Sequence, residues 1–280
     1  MINDIAPRRF DNCYKNKKAE PHDLFLSYEG NTVLVKKDKD KLWYPSFKDY
    51  EEDFPGLAEN ATFLFTVDDI NYYLVEEKGL DSVDGWTYIS TENFRTEPKK
   101  WRSFVGVAGW QLSRWYGNNL FCGRCGKPMK RSEKERMIYC EACGYQSYPT
   151  ISPCVIVAVH DGDRLLLTKY KGRTYTRHAL IAGFAEIGES LEQAVHREVE
   201  EEVGLKVKNL KFYKSQPWPF TDTLLVGFYA ELDGDDTITL QEDELSSGEW
   251  FNRDDIPPDK YKISLTGEMM TAFKNRTVEL

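Results

Sequence analysis

Residues 121–144 read FCGRCGKPMKRSEKERMIYCEACG, which sets Cys122, Cys125, Cys140 and Cys143 as two CxxC pairs with fourteen residues between them. No other feature constrains the fold so tightly, because two short turns must converge on one point. Paired cysteines at this spacing are ligands for a tetrahedral Zn²⁺. With four thiolates no position is left for water, so the ion would be structural rather than catalytic. Gly123, Gly126 and Gly144 allow the turns that aim the sulfurs. Two alternatives exist. Two unrelated pairs of buried thiols would have no reason to share this spacing. A ribbon that itself binds nucleic acid is favoured by Lys127, Lys130, Arg131, Lys134 and Arg136, and diluted by Glu133, Glu135 and Glu141. Cys13 and Cys154 stand apart and read as ordinary buried or semi-buried thiols, so no disulfide framework is expected.

The ribbon occupies a small part of 280 residues, and a chain of that length is expected to form more than one unit. Upstream, from about residue 22 to 98, LFLSYEGNTVLVKK, FLFTV, YYLVEE and WTYIS are strand-like runs separated by turn residues. FVGVAGWQLSRWY, at 104–116, has apolar residues every three or four positions and reads as a connecting helix. Expected boundaries are a β-rich domain with that helix over 1–116, the ribbon over 117–150, and a third domain over 151–280. The third opens with VIVAVHDGDRLLLTKY, two β runs joined by Asp161, Gly162 and Asp163, which is a hairpin signal. Helices are expected at 190–203 and 264–275, with strands around KNLKFYKS and TLLVGFYAEL. The whole is an α+β multidomain chain whose last sheet is mixed and covered on both faces.

Composition narrows the setting. A net charge of −9 argues against a broad non-specific grip on nucleic acid, and cations would be needed locally to admit a small anionic substrate. The first residues, MINDIAPRRFDN, lack the apolar core of a secretion signal, and no window approaches a membrane span, so a cytoplasmic protein is expected.

The stretch REVEEEVG at 197–204 raises the question of chemistry. Ser190 and Gln193 form a capping box that starts the helix after Glu189. At about 100° per residue, Leu191, Ala194 and Val195 share an inner arc with Glu198 and Glu202, while Glu201 sits at its edge. Glu192, His196 and Glu200 point outward. Charge runs usually face water. Here, however, Glu198 and Glu202 repel at i,i+4 and lie at the helix end where the dipole disfavours anions. A divalent cation cancels both penalties, and carboxylates are ligands that Mg²⁺ or Mn²⁺ prefers. Arg197 stands at i,i+4 from Glu201, well placed to orient it.

The larger frame is GFAEIGESLEQAVHREVEEEVGL: Gly183, five residues, Glu189, seven residues, Arg197-Glu198, Val199, one residue, Glu201-Glu202, one residue, Gly204, Leu205. It matches every fixed position of the Nudix box, and the chain resembles the Nudix hydrolases. The resemblance implies an α/β/α sandwich over 151–280 and metal-dependent hydrolysis of a nucleoside diphosphate linked to another moiety. It also implies catalytic roles for Arg197, Glu198, Glu201 and Glu202, and metal contacts from Glu198, Glu202 and the Ala182 carbonyl. Glu244 is our choice for a further metal-binding carboxylate.

SQPWPF at 215–220 follows the box. Its prolines stiffen a loop whose Trp218 and Phe220 either stack on a base or anchor the turn in the core. A four-cysteine ribbon, a YP linker, the box and SQPWPF together resemble the NADH pyrophosphatase subfamily over about 120–275. That resemblance implies hydrolysis of NADH or NAD⁺ to nicotinamide mononucleotide (reduced, from NADH) and AMP. It further implies removal of NAD caps from RNA, one structural zinc and a homodimer. Substrate contacts would come from Glu135, Tyr148, Phe184, Gln216, Pro217, Trp218, Pro219, Phe220, Thr221, Asp222, Thr223 and Thr266. The chain departs from the subfamily after PWPF, where Thr221, Asp222 and Thr223 replace a third proline and serine. The rival within the same chemistry is an ADP-ribose or other nucleotide-sugar pyrophosphatase. The rival of another class is a zinc-ribbon nucleic-acid-binding protein.

Overall fold

The computed structural model describes residues 1–39, 41–172, 177–241 and 243–280. They form two compact units, one of Met1, Ile151–Trp218 and Asp222–Leu280, the other of Ile2–Thr150 and Pro219–Thr221. The ribbon is part of the second unit.

In the first unit, Ser152–Asp161 is the central strand. It runs parallel to Thr223–Leu232 on one side; on the other it pairs antiparallel with Ile181–Phe184, and with Arg164–Tyr170 at their hairpin. Val207–Trp218 and Leu245–Asn252 complete a mixed sheet as its two edges. The hairpin turns at Gly162, where φ is +56°. Alternate residues of the central strand serve opposite layers. Val155, Val157 and Val159 meet Ala194, Val195, Val199 and Val203 of helix α2 (Leu191–Val203). Cys154, Ile156 and Ala158 meet Leu265, Met269 and Phe273 of helix α3 (Leu265–Lys274). Fully burying one such valine or leucine stabilises by roughly 1.5–3 kcal/mol, so a charge at Val199 would unseat α2. The result is the α/β/α sandwich expected from the sequence.

Local chemistry sets the ends of α2. The Ser190 hydroxyl accepts from the Gln193 N–H and the Gln193 side chain accepts from the Ser190 N–H, the reciprocal box read from the sequence. Gly204 closes the helix with φ +70°.

Outside the ribbon, the described residues of the second unit form two small sheets. In one, Phe10–Asp11, Thr62–Val67, Ile70–Leu74 and Leu24–Leu26 lie side by side. In the other, Thr32–Asp38 pairs with Tyr28–Glu29, Lys41–Trp43 and Thr87–Ser90. Helix α1 spans Lys100–Asn118, longer at both ends than its apolar pattern predicted. Its Gly106 and Gly109 permit a close approach: a Cβ there would lie 2.1 Å from Phe94 and 2.3 Å from Leu26. No helix among the described residues is long and apolar enough to cross a membrane.

Candidate functional site

Helix α2 carries the carboxylates. Glu202 is 1% exposed and the Glu198 side chain 13%, whereas Glu192, His196 and Glu200 face outward. Glu201, expected at the edge of the inner arc, is 55% exposed. Burial raises the pKa of Glu198. Hydrogen bonding and charge from Arg197 oppose the rise, and the negative charges of Glu201 and Glu244 add to it. Glu244, exposed in the turn before Leu245–Asn252, is thus close enough to be felt by Glu198. Burial, then the charges of Glu198 and Glu202, push the Cys154 thiol up to about 12, which puts an inert thiol beside the pair.

Arg197 ties these groups together. Its guanidinium donates to both oxygens of Glu189 at 2.9 Å, to Glu198 at 2.7 Å, to Glu201 at 2.9 Å and to the Phe184 carbonyl at 2.9 Å. The Glu189 bonds are the largest cause of the raised Arg197 pKa, and Arg197 in turn holds Glu189 below the usual carboxylate range. The Glu201 contact is the i,i+4 pair expected from the sequence. The Glu189 fork was not, because Glu189 precedes the helix and helical spacing says nothing about it. Only the fixed interval between the two residues signalled a link.

Gly183 explains the close approach of strand and helix. A Cβ at that position would lie 1.8 Å from Glu198 Cδ. Ala182 sits beside it in the strand Ile181–Phe184, paired with Ile156, and Phe184 at the strand end is an exposed ring. Buried oxygen donors on one helix turn, against bare backbone, fit a hard divalent cation held by Glu198 and Glu202.

In the ribbon the four sulfurs lie within 4.8 Å of one another. Both knuckles are built alike: Cys122 N–H donates to Lys127 and Gly126 N–H to Cys122, while Cys140 N–H donates to Tyr145 and Gly144 N–H to Cys140. Gly126 and Gly144 take φ of +71° and +72°, a conformation that favours glycine. Burial disfavours the Cys122 thiolate, but N–H donors from Arg124 and Cys125 outweigh it and bring the thiol to about 7. For Cys143, the Tyr145 N–H favours the thiolate, and burial with the neighbouring thiols overrides it, to about 12. Four thiolates so close together fit Zn²⁺, whose charge offsets their mutual repulsion. The ribbon's basic residues are largely engaged inside the unit: Arg131 pairs with Glu76, Arg136 donates to the Leu64 carbonyl, and Lys130 pairs with Glu141 at 2.8 Å.

The NUDIX domain family matches residues 150–272, and the NADH pyrophosphatase zinc ribbon domain matches residues 118–148. The chain carries a Nudix domain. Over 149 residues it is 46% identical to the NAD-capped RNA hydrolase NudC of Salmonella schwarzengrund and 44% identical to that of Klebsiella pneumoniae. Each alignment covers 53% of this chain and 58% of the relative, so the chain spans just over half the length of these curated relatives. A NUDIX hydrolase structure from Nitrosomonas europaea aligns at 21% identity and a TM-score of 0.48, over 56% of this chain and 92% of that one.

In this Nudix domain the SQPWPF segment is not a free loop. Gln216, Pro217 and Trp218 end the strand Val207–Trp218, and Trp218 pairs with Thr223 across a four-residue turn. A proline is tolerated there because the strand is an edge of the sheet. Gln216 is fully buried: its amide donates to the Ile263 carbonyl at 2.8 Å and accepts from the Leu265 N–H at 2.6 Å, joining the strand to the start of α3. Trp218 packs partly against the α3 core, and Asp222 takes φ +56° while its carbonyl accepts from Ser152. Pro219–Thr221 belongs to the second unit, where Arg114 donates to the Pro219 carbonyl at 2.7 Å and Arg95 lies 4.1 Å over the Phe220 ring. Phe220 and Thr223 are buried and Thr221 is exposed.

Thr266, in the first turn of α3, lines a cavity of about 280 Å³ with Arg177, His178, Pro258, Asp259 and Met270. None of those five neighbours was singled out by sequence reasoning, which had only Thr266 to offer there. Glu135 and Tyr148 are exposed positions of the second unit.

Proposed function

We propose that this chain is a divalent-metal-dependent NAD(H) pyrophosphatase that hydrolyses NADH or NAD⁺ to nicotinamide mononucleotide (reduced, from NADH) and AMP and removes NAD caps from RNA. The observation that carries the chemistry is the buried Glu202 together with Glu198, whose side chain is 13% exposed and packed against Gly183. The substrate class rests on the similarity to relatives named NAD-capped RNA hydrolase and on the NADH pyrophosphatase-type ribbon.

Glu198 and Glu202, with the Ala182 carbonyl and Glu244, would hold Mg²⁺ or Mn²⁺. When bound, such an ion neutralises phosphoryl oxygens and makes bound water more acidic. Arg197 fixes Glu198 and Glu201 against Glu189, so the carboxylates keep one arrangement as charge develops on the substrate. The proton of the attacking water passes to a carboxylate of this cluster. Phe184 offers an exposed ring for a base or nicotinamide, and the half-buried Trp218, Asp222 and Thr266 of the same unit would supply further contacts.

A homodimer agrees with the apolar side chains left in water, Leu120 and Phe121 in one unit and Ile151 and Ile187 in the other. A cytoplasmic setting agrees with six free cysteines.

The test is turnover of NADH, NAD⁺, ADP-ribose and NAD-capped RNA with Mg²⁺ or Mn²⁺, alongside Glu202→Gln. Cleavage of NADH or capped RNA, reduced on the order of 10²-fold by the substitution, is expected. Turnover of ADP-ribose alone would refute the substrate, and full activity of Glu202→Gln would refute the metal assignment.

A further inference from the structure

The second unit carries an alternating stack of cations and indoles for which the proposed hydrolysis has no use. Arg8 lies 4.3 Å from the centre of the Trp101 ring, and Arg102 lies 5.1 Å from that ring and 4.3 Å from Trp43. Arg102 is buried with Glu97 3.8 Å away, so its guanidinium is a fixed cation beneath Trp43. Trp43 itself is 46% exposed. A large ring half in water, its orientation set from below, is an organised surface rather than a scattered apolar residue.

Basic side chains surround it. Trp43 ends the strand Lys41–Trp43, antiparallel to Thr32–Asp38, with Lys36 directly opposite Trp43 and Lys41 opposite Asp38. Residues opposite one another, and alternate residues along a strand, share a face, so Lys36, Lys41 and Trp43 lie together. Of the acidic groups nearby, Asp38 shares that face, Asp68 is paired with Arg8 at 2.7 Å and Glu97 lies 3.8 Å from Arg102, so of these only Asp38 faces Lys36 and Lys41. The excess is positive in a chain whose net charge is −9.

We propose that this face binds single-stranded RNA, with a base stacked on Trp43 and phosphates passing Lys36 and Lys41. An aromatic platform flanked by cations is the chemistry that tracks an unstacked strand, whereas the bases of a duplex are already stacked on one another. The proposal rests on the capped-RNA reading for its biological occupant, but the binding requires no hydrolysis.

The experiment is fluorescence anisotropy of the full chain with a short single-stranded RNA that has a 5′ hydroxyl and a 3′ dye, compared with the same sequence as a duplex. Trp43→Ala should weaken binding of the single strand roughly tenfold, and Trp43→Phe should retain most of it. Lys36→Ala with Lys41→Ala should make the slope of log K against log salt shallower by about 1.4, from about 0.7 per phosphate contact. Thermal melts should show every variant folded at the assay temperature, with Trp43→Ala lowered by no more than the loss of one cation–π contact. The proposal is overturned if the parent does not bind the strand or prefers the duplex. It is equally overturned if the variants bind as the parent does, or if Trp43→Ala only dissociates a dimer, which would show a second copy on this face. NADH turnover separates the two readings: Trp43-dependent binding without NADH or capped-RNA hydrolysis removes the enzyme assignment alone, and hydrolysis with a silent Trp43→Ala removes this one.

Discussion

The α-carbon of Gly183 lies against the Glu198 carboxylate, so that a Cβ at position 183 would fall 1.8 Å from Cδ and 2.0 and 2.1 Å from the two oxygens. The φ of Gly183 is not among the positive values, so the glycine is needed for space rather than for backbone freedom. Gly183→Ala is predicted to push Glu198 off its position while α2 remains capped and packed. A displacement of about 1 Å in a reacting constellation costs on the order of 10²-fold, and turnover should fall by that much with little change in melting temperature. Steady-state kinetics and a thermal melt check this; a variant with normal turnover would show that Glu198 does not need its present place.

Arg197 reaches four separate groups through one planar fork, and lysine has no geometry that can do so. Arg197→Lys keeps the charge and should still lower metal affinity about 10- to 100-fold, the usual effect of losing a group that orients a ligand. Titrating activity with Mn²⁺ measures the shift. An unchanged half-saturation point would mean that Glu189 and Arg197 serve stability alone.

Glu200 is exposed one position from Glu201 on the same helix, and Glu202 two positions on is 1% exposed. Glu200→Gln should leave turnover within about twofold of the parent, since an exposed side chain contributes little. Side-by-side assays with Glu202→Gln decide it, and comparable losses in both would mean that the helix acts through net charge rather than through two placed carboxylates.

How far the sequence could be read depended on whether the cause was periodic or tertiary. Helical spacing put Glu198 and Glu202 on the inner arc of α2, a property of a single element, and the order of strands and helices along 151–280 pointed to a mixed sheet with two covered faces. Glu201 sits at the margin of the arc, where a few degrees decide between burial and water, and it is exposed. The Glu189–Arg197 fork and the crowding at Gly183 arise where a loop or strand meets the helix, and no period encodes that. SQPWPF shows the same limit: its prolines read as a loop, but an edge strand accepts them, and the buried bonds of Gln216 to 263–265 depend on where α3 begins.

Zinc is predicted to hold the ribbon and little else. The three strands there are only two residues each, far too short to fold on hydrogen bonds alone. Chelation, or Cys140→Ser, should release about one zinc per chain, as four ligands imply. It should also remove a low-temperature melting component while residues 151–280 keep their own transition. Metal analysis with calorimetry tests this, and an unaltered melt after complete zinc loss would contradict it.

Asp163, in the hairpin turn, accepts from Arg253 Nε at 2.8 Å and from both terminal nitrogens of Arg276 at 3.0 and 3.1 Å. Hydrogen bonds from Arg276, then Arg253, hold its carboxyl below the ordinary value of 3.8. A depressed folded-state pKa means that the contribution is fully present above the unfolded value and is lost as pH falls through the folded one. The parent should therefore melt above Asp163→Asn at neutral pH, with a gap that stays constant down to about pH 5 and closes only below the usual carboxylate range. Because the carboxyl is well exposed, the gap should be small and should shrink in high salt. Melting temperatures of the two proteins from pH 7 to pH 3, at low and high salt, give the test. A gap that persists unchanged at the acid end would assign the effect to side-chain packing rather than to charge.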